Sequence, residues 1–562
     1  MSAVRPSIKT ESKELKEAPS RLLQMEVHRE VNRIPFAELT FRDGDPAQQK
    51  FAYSDQADMA PGKEMEVRLA YVGGDAAQER PPEFKGIIVR HSVEADAGGS
   101  RLLIEVRAQA YRMTQQRKSR VFRNMTNSDI FKQIIEEYGL KTGKIPATQP
   151  KHVEMVQYNC TDWDFLLSRA DSCGRWVLVR FDEEGRETVD VIAPQLEGEP
   201  VHTFAFGKRP PLIYSLEMQA DLDQVQGAVQ SIAWDSKQQK MTRLVKANDF
   251  ALAQGNFDPA ELSGTLGKSS VVMKNPAEIE ESELQAWADA QLIKSRLATI
   301  RGRMTVKGEA NFQVNDLIAI DGISGPFNGN TLITGVRHVS GRQSWKTDIQ
   351  FGLPGAWFTQ KEDIAGLPAA GMLPPISGLR TGIVQAYEKD QAHRLLVKVA
   401  VPDIDETQGV VWARLAMPYA GNSHGLFFRP EPGDEVILGF IDNNPREVII
   451  LGSVFSEKNF PPVKDDKIDT ENQVKRWVSG KGIQITWDES VPAFQIATAE
   501  KGKEQPSLNG KDPAKNTTQL FLGKDEAVLS DINGNVIRMD SKGITIESKK
   551  AIKIKGPTVD VN

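Results

Sequence analysis

From residue 24 to residue 113, apolar and polar positions alternate in short runs, as in Glu64-Met65-Glu66-Val67-Arg68-Leu69 and Leu103-Ile104-Glu105-Val106, with turn residues between them. A period of two puts one face of each run in a core, which predicts antiparallel sheet. Over residues 127–140 the period lengthens. Ile130, Phe131, Ile134, Ile135 and Tyr138 fall on one face of a helix, with Asn127 or Ser128 as its N-cap and Gly139 as its stop. A second helix is predicted over 162–172, carrying Trp163, Phe165, Leu166 and Leu167, ahead of a strand at 176–181. A longer one over 279–299 presents Leu284, Trp287, Ala288, Leu292 and Leu297 as an apolar stripe. Alternation returns over 315–351, where Phe327-Asn328-Gly329 leading to Val336-Arg337-His338 echoes Phe84-Lys85-Gly86 leading to Val89-Arg90-His91. Two related barrels would explain the echo, and so would chance, because short strand phrases recur easily.

Residues 365–378, AGLPAAGMLPPISG, lack periodicity and predict a linker. Five strand candidates follow, at 381–387, 395–401, 410–416, 435–441 and 447–452, with turns such as Pro432-Gly433-Asp434 between them. Their number and spacing match an OB-type barrel. Beyond Pro461-Pro462 come Ile483-Gln484-Ile485, Val536-Ile537-Arg538-Met539, Ile544-Thr545-Ile546 and Ile552-Lys553-Ile554, the last two phrases eight residues apart. A single chain of this segment has too little apolar surface to close its own core. Three chains wound together would bury Ile483, Ile485, Ile537, Met539, Ile544, Ile546, Ile552 and Ile554 and pair every strand edge, at about 2 kcal/mol for each buried aliphatic side chain. Alternation alone leaves an ordinary β-sandwich lobe open as the alternative.

Length and composition narrow the function classes. With 562 residues and roughly 150 per domain, three or four domains are expected. Lys+Arg 70 against Asp+Glu 76 leaves a net charge of −6, so no broad basic field exists to attract nucleic acid. Cys160 and Cys173 are too few for a disulfide framework, which points to synthesis in a reducing cytoplasm. Residues 1–20 are polar, without the apolar core of a signal peptide, and are expected to form a tail, free or in contact with a baseplate protein. Nothing later reaches the roughly 20 apolar residues of a membrane-spanning helix.

Candidate chemistry is sparse. Gly264-Thr265-Leu266-Gly267-Lys268-Ser269 resembles a phosphate loop but has Leu262 where the first glycine belongs. The histidines, at 28, 91, 152, 202, 338, 393 and 424, are scattered without metal-ligand spacing. Acidic pairs such as Asp221 with Asp223 and Asp465 with Asp466 are expected to be solvated charge rather than glycosidase carboxylates. No enzyme, cofactor or metal is expected.

From residue 24 onward the chain resembles the VgrG-type spike proteins of contractile injection systems, which are similar to phage tail hubs and spikes. The phrases that carry this are Gln157-Tyr158-Asn159-Cys160-Thr161-Asp162-Trp163-Asp164-Phe165-Leu166, Gly325-Pro326-Phe327-Asn328-Gly329 running to His338, and Arg429-Pro430-Glu431-Pro432-Gly433-Asp434-Glu435-Val436 followed by Asn444-Pro445-Arg446 and Leu451-Gly452-Ser453. The resemblance implies a mainly β fold with a few helices. After the tail at 1–20 it implies a hub of two related barrels with inserted helices at 21–364, a linker at 365–378, an OB-fold collar at 379–460, and a triple-stranded β-helical needle at 461–562 formed by a homotrimer. The implied partners are a hexameric Hcp-like inner tube, baseplate proteins, a PAAR-type tip protein, and an effector or other cargo carried on tip or tube.

In such machines the spike caps the tube, adapts sixfold to threefold symmetry and pierces the target membrane, without catalysis. Some phage relatives insert a lysozyme domain after the collar, but Ser456 and Trp477 lie too close for the roughly 50 residues a domain needs. No histidine follows His424 to form an apical iron site. A separate cap is therefore expected at Pro557, Thr558, Val559, Asp560, Val561 and Asn562. The sequence ends within the needle, so cargo is expected to ride elsewhere, and the protein to leave the cell inside an assembled particle. The competing readings are a trimeric polysaccharide depolymerase and a structural baseplate hub of a phage. Type VI apparatus, extracellular particle and phage all fit the same residues.

Overall fold

A computed structural model describes residues 4–561 apart from 46–47, 72–81, 97–98, 196, 208–212, 251–254, 258, 268–269, 342–343, 365, 390–394, 463–471 and 499–516. The chain divides into two compact units, residues 1–366 and 367–562, each described by itself.

The largest sheet of the first unit has thirteen strands, and smaller sheets of two, three and four strands lie beside it in sequence. Its two halves meet where Gly329–Gly341 pairs with Leu22–Glu30, His338 standing opposite Val27. One half packs Leu39, Phe41, Met65, Phe84 and Ile104 against the helices Asn127–Glu137 and Asp162–Ser172. The other half closes over Phe204, Met304, Phe312, Ile349 and Phe351. Phe84–Asp96 holds the whole of the first echoed phrase and Gly329–Gly341 holds the second from Gly329 onward, Phe327 and Asn328 lying in the turn before it; each strand is thirteen residues long. Both are bulged at the same ordinal position, Ile88 to Arg90 in one and Ile333 to Gly335 in the other.

Local details depart from the sequence-based expectation in three places. The first helix is capped by Thr126, one residue earlier than expected. Thr126 Oγ1 accepts the Asp129 N–H at 3.2 Å and Asp129 Oδ2 accepts the Thr126 N–H at 3.1 Å, a reciprocal pair that satisfies two orphan donors. The long helix runs Glu281–Thr299, two residues shorter at its start than expected, and has no side-chain cap. The opening segment is not a free tail over its described length: Val4–Thr10 is a strand paired with Glu64–Tyr71, with Ile8 fully buried. Its partner lies some sixty residues away, and a local pattern cannot display it.

In the second unit Arg380–Val384, Val397–Ala400, Val410–Leu415, Glu435–Phe440 and Val448–Val454 close into a five-stranded barrel around Val397, Val399, Val436, Leu438 and Ile450. The closing contact is parallel, Val410–Leu415 against Val448–Val454, and the other four are antiparallel. Gly433 takes φ +93 in the turn before the fourth strand, a backbone state that favours glycine. A seven-stranded meander follows.

One buried carboxylate gives the first unit a pH dependence. Glu187 Oε2 and Oε1 accept the N–H groups of Gln109 at 2.6 Å and Ala110 at 2.8 Å. Burial nevertheless pushes its pKa from 4.5 up to about 7. The fold therefore favours the protonated form. This group's stabilisation is greatest below the unfolded pKa and is lost as pH rises toward the folded one, by no more than about 3 kcal/mol. Urea unfolding followed by tryptophan fluorescence is expected to show a midpoint that falls from pH 5 to pH 8, and Glu187→Gln is expected to flatten that slope. An unchanged slope in the variant would rule Glu187 out as its source.

Candidate functional site

The meander is built from Val474–Val478, Ile483–Asp488, Ala493–Thr498, Thr518–Leu522, Ala527–Ser530, Val536–Asp540 and Gly543–Glu547, each antiparallel to the next. The register never slips between them. Trp477 stands opposite Ile485, Ile485 opposite Ile496, Ile496 opposite Leu520, Leu520 opposite Leu529, Leu529 opposite Ile537, and Ile537 opposite Ile546. Seven apolar side chains thus form one row across seven strands. A second row runs Trp487, Phe494, Leu522, Ala527, Met539, Ile544. Cross-strand neighbours on one face lie close enough to pack side by side.

This apolar face is the open one. Leu529 is 48% exposed, Met539 49%, Ile546 53% and Ile544 71%. The opposite face is buried over the four strands from Ile483 to Ser530, where Gln484, Thr486, Gln495, Gln519 and Ser530 lie among the apolar Ala497, Phe521 and Val528. Gln495 donates to Gln519 Oε1 at 2.6 Å, but Gln484 Nε2, Thr486 Oγ1, Gln495 Oε1 and Ser530 Oγ have no hydrogen-bond partner among the described residues. A buried unpaired polar group costs about 1–3 kcal/mol, and an exposed apolar row forgoes its burial energy. The unpaired polar atoms of one face and the exposed row of the other are both unfavourable in a lone chain, although Ala493, Phe521 and Val528 form a small apolar cluster on the buried side.

Six of the eight expected core residues share this surface. Ile485, Ile537 and Ile546 stand in the first row, Met539 and Ile544 in the second, and Ile483 opposite Thr498 one step further along. Ile552 and Ile554 were expected in a strand, but none forms there. Gly543–Glu547 is the last strand, and no strand of the same chain follows to bond with residues 551–556. Sequence reasoning missed Trp477, Ile496, Leu520, Leu522 and Leu529, which share the face only through register. At the head of the row an aromatic chain runs Phe428, Trp477, Trp487, Phe494, with successive ring centroids 5.6, 5.5 and 5.7 Å apart. Phe428 and its neighbour Phe427 are themselves exposed. At the other end Pro557, Thr558, Val559, Asp560 and Val561 are exposed and outside any strand, and Asn562 lies outside the described residues.

The other candidate groups are architectural or undescribed. Asp162, in the most specific sequence phrase, is fully buried and receives Lys118 Nζ at 2.6 Å, Arg120 Nη2 at 2.7 Å, Tyr138 OH at 2.8 Å and Gln157 Nε2 at 2.9 Å. Burial works to raise its pKa, but these partners outweigh it and hold the carboxyl below its usual range. Asp221 accepts the Asp223 N–H at 2.9 Å and pairs with Arg301 at 2.9 Å, which spends both of its oxygens on the fold. Among the described residues no group of three or more His, Cys, Asp or Glu is placed to hold a metal, and no helix is long and apolar enough to cross a membrane. Lys268, Ser269, His393, Asp465 and Asp466 lie outside the described residues.

Comparison with known proteins fits this anatomy. Residues 380–455 match the type VI secretion system/phage-baseplate injector OB domain, the span of the closed barrel. The type VI secretion system spike protein VgrG1c of Pseudomonas aeruginosa is 22% identical over 497 residues, which cover 84% of this chain and 64% of that protein. VgrG1a of the same organism is 20% identical, covering 76% and 67%. The chain thus spans 64% of the length of VgrG1c. Among solved structures, a tail protein from Neisseria meningitidis is 15% identical with a TM-score of 0.45, covering 64% of this chain and 98% of that one. The Francisella PdpA–VgrG complex in its lidded form is 9% identical with a TM-score of 0.40, covering 98% and 80%. The chain is thus similar to VgrG-type spike proteins and is mainly β with an OB barrel. Residues 1–340 match the family described as the Alg8 N-terminal domain, and the chain belongs to that family.

The open apolar face makes a sharp mutational prediction. Leu529→Lys and Ile537→Lys change side chains that are 48% and 39% exposed in one chain, where such changes usually stay within about 0.5 kcal/mol. If other copies cover the row, each charge is buried without a partner, at several kcal/mol. The double variant is expected to lose the highest thermal unfolding transition of the parent. A melting curve that superimposes on the parent's would mean that the face is free.

Proposed function

We propose that three copies of this chain wind their C-terminal segments together into the needle of a non-enzymatic central spike, which caps the inner tube of a contractile injection machine and pierces the target membrane. One observation carries the reading: the apolar row from Trp477 to Ile546 runs unbroken across seven strands and faces outward. Nothing in the described part of one chain covers it, and a second and third copy bring surfaces of matching chemistry. Each aliphatic side chain so covered contributes about 2 kcal/mol. The exposed segments around Ile552 and Ile554 then find their strand partners in the neighbouring copies.

The first unit fits the wide end of such a spike. Its two thirteen-residue strands, bulged at the same position, support two related modules per chain. Three chains would then offer six such modules to a hexameric Hcp-like tube, while the needle keeps threefold symmetry, and baseplate proteins would hold the hub. The proposed domains are the hub over 21–364, a linker over 365–378, the OB collar over 379–460 and the needle over 461–562. A PAAR-type tip protein docks on residues 557–562, and effector or cargo travels on the tip or in the tube. The spike leaves the cell within the particle. Its work is mechanical: fully paired strands resist unfolding along the axis while the narrow end parts the lipid.

Purified chain mixed with assembled tube protein is expected to sit at tube ends in electron micrographs; tubes whose ends stay bare would sink the tube-capping role. Deleting residues 557–562 is expected to abolish binding of the PAAR-type protein while leaving the assembly intact. Unchanged binding would place the cap elsewhere, and degradation of peptidoglycan or polysaccharide by the pure protein would contradict the non-enzymatic reading.

A further inference from the structure

The last stretch of the chain is net positive, unlike residues 461–540 before it, which hold 11 Lys and Arg against 13 Asp and Glu. Residues 541–562 hold Lys542, Lys549, Lys550, Lys553 and Lys555 against only Glu547 and Asp560, in a chain whose net charge is −6. All five lysines are exposed, and none makes an ion pair among the described residues. The contrast with neighbouring strands is direct: Arg538 is paired with Glu526 and Lys475 with Glu489. Lys481 and Lys524 also stand exposed without an ion pair among the described residues, and five more such lysines gather over residues 542–555.

Spacing decides where these charges go. Ile544 and Ile546 stand on the open apolar face beside Met539 and Ile537. The phrase Ile552-Lys553-Ile554-Lys555 keeps a period of two, so isoleucines that continue the apolar face leave Lys553 and Lys555 on the other side. Lysines at an unpaired edge also discourage stray strand pairing, but that role asks for one or two, not five gathered at one end. A positive end on a net negative body is drawn to an anionic surface while the body is repelled, which orients the approach. Basic clusters beside apolar residues are the recognised chemistry of attraction to anionic lipid headgroups.

We propose that the segment carrying Lys542, Lys549, Lys550, Lys553 and Lys555, just behind the residues assigned to the cap, binds the phosphate groups of an anionic lipid bilayer as the needle enters the membrane. This rests on the needle reading above, in which three copies bring their lysines into one narrow cross-section and bind multivalently. The contact is electrostatic, short in range at physiological salt, and weakened as salt rises.

The test is co-sedimentation of the full chain with vesicles of phosphatidylcholine alone and of phosphatidylcholine mixed with phosphatidylglycerol, at low and at high salt. The expected result is binding to the mixed vesicles only, released by salt, and weakened by about tenfold or more when Lys549→Gln, Lys550→Gln, Lys553→Gln and Lys555→Gln are combined. Equal binding to both vesicle types, or none to either, overturns the proposal. So does a variant that binds like the parent, including one that instead loses an acidic tip protein, which would make the lysines a protein contact. The solution mass of parent and variant is read in parallel. An assembled protein that ignores the vesicles fails only this proposal, whereas a single chain fails the needle reading whatever the vesicles show.

Discussion

Hydrogen-bond register across the C-terminal meander is the constraint on which the rest depends. Seven strands stay in step from Val474 to Glu547, and because side chains alternate with a period of two, one slipped residue would scatter the row to both faces. Kept in step, Trp477, Ile485, Ile496, Leu520, Leu529, Ile537 and Ile546 make a continuous apolar strip. The same register collects Gln484, Thr486, Gln495, Gln519 and Ser530 on the buried side, several of them with orphaned polar atoms. A sheet with those two faces is poorly satisfied in isolation, and the assembly proposed for it follows from that imbalance.

The first unit buries two large cores of its own, although one strand pair leaves Val121, Val153, Val156 and Tyr158 exposed. Where its two halves join, Arg29 Nη2 lies 2.9 Å from His338 Nε2, whose other ring nitrogen faces the Thr347 hydroxyl at 3.0 Å. Burial drives the His338 pKa well below its usual value, and the Arg29 guanidinium adds to the effect. The ring is therefore neutral and accepts from the arginine. The Arg29 guanidinium donating to a neutral histidine at the junction, and the Asp162 network at the N-terminus of the second helix, fix geometry. The phrases 157–166 and 325–338 encode this framework.

Periodicity makes the helices, the five barrel strands and much of the meander legible in the sequence, because each element writes its own period even where its partner is as distant as Leu438 is from Arg380. The Thr126 cap is displaced by one residue from its expected place, since Thr, Asn and Ser stand in a row and all three favour that position. The strand Val4–Thr10 is invisible to a local pattern because its partner is Glu64–Tyr71. Ile483, Ile485, Ile537, Met539, Ile544 and Ile546 stand out as Ile-rich alternation, whereas Leu520 and Leu529 look like isolated leucines until register aligns them. Ile552 and Ile554 carry the same pattern without a strand, because a period can be written in sequence while its hydrogen-bonding partner is not.

The most direct test is the solution mass of the purified full-length chain, measured by light scattering after size exclusion. The account predicts three times the chain mass in a single sharp species. A monodisperse, folded single chain at working concentration would contradict it, because the apolar row would then be stable in water and would need no partner.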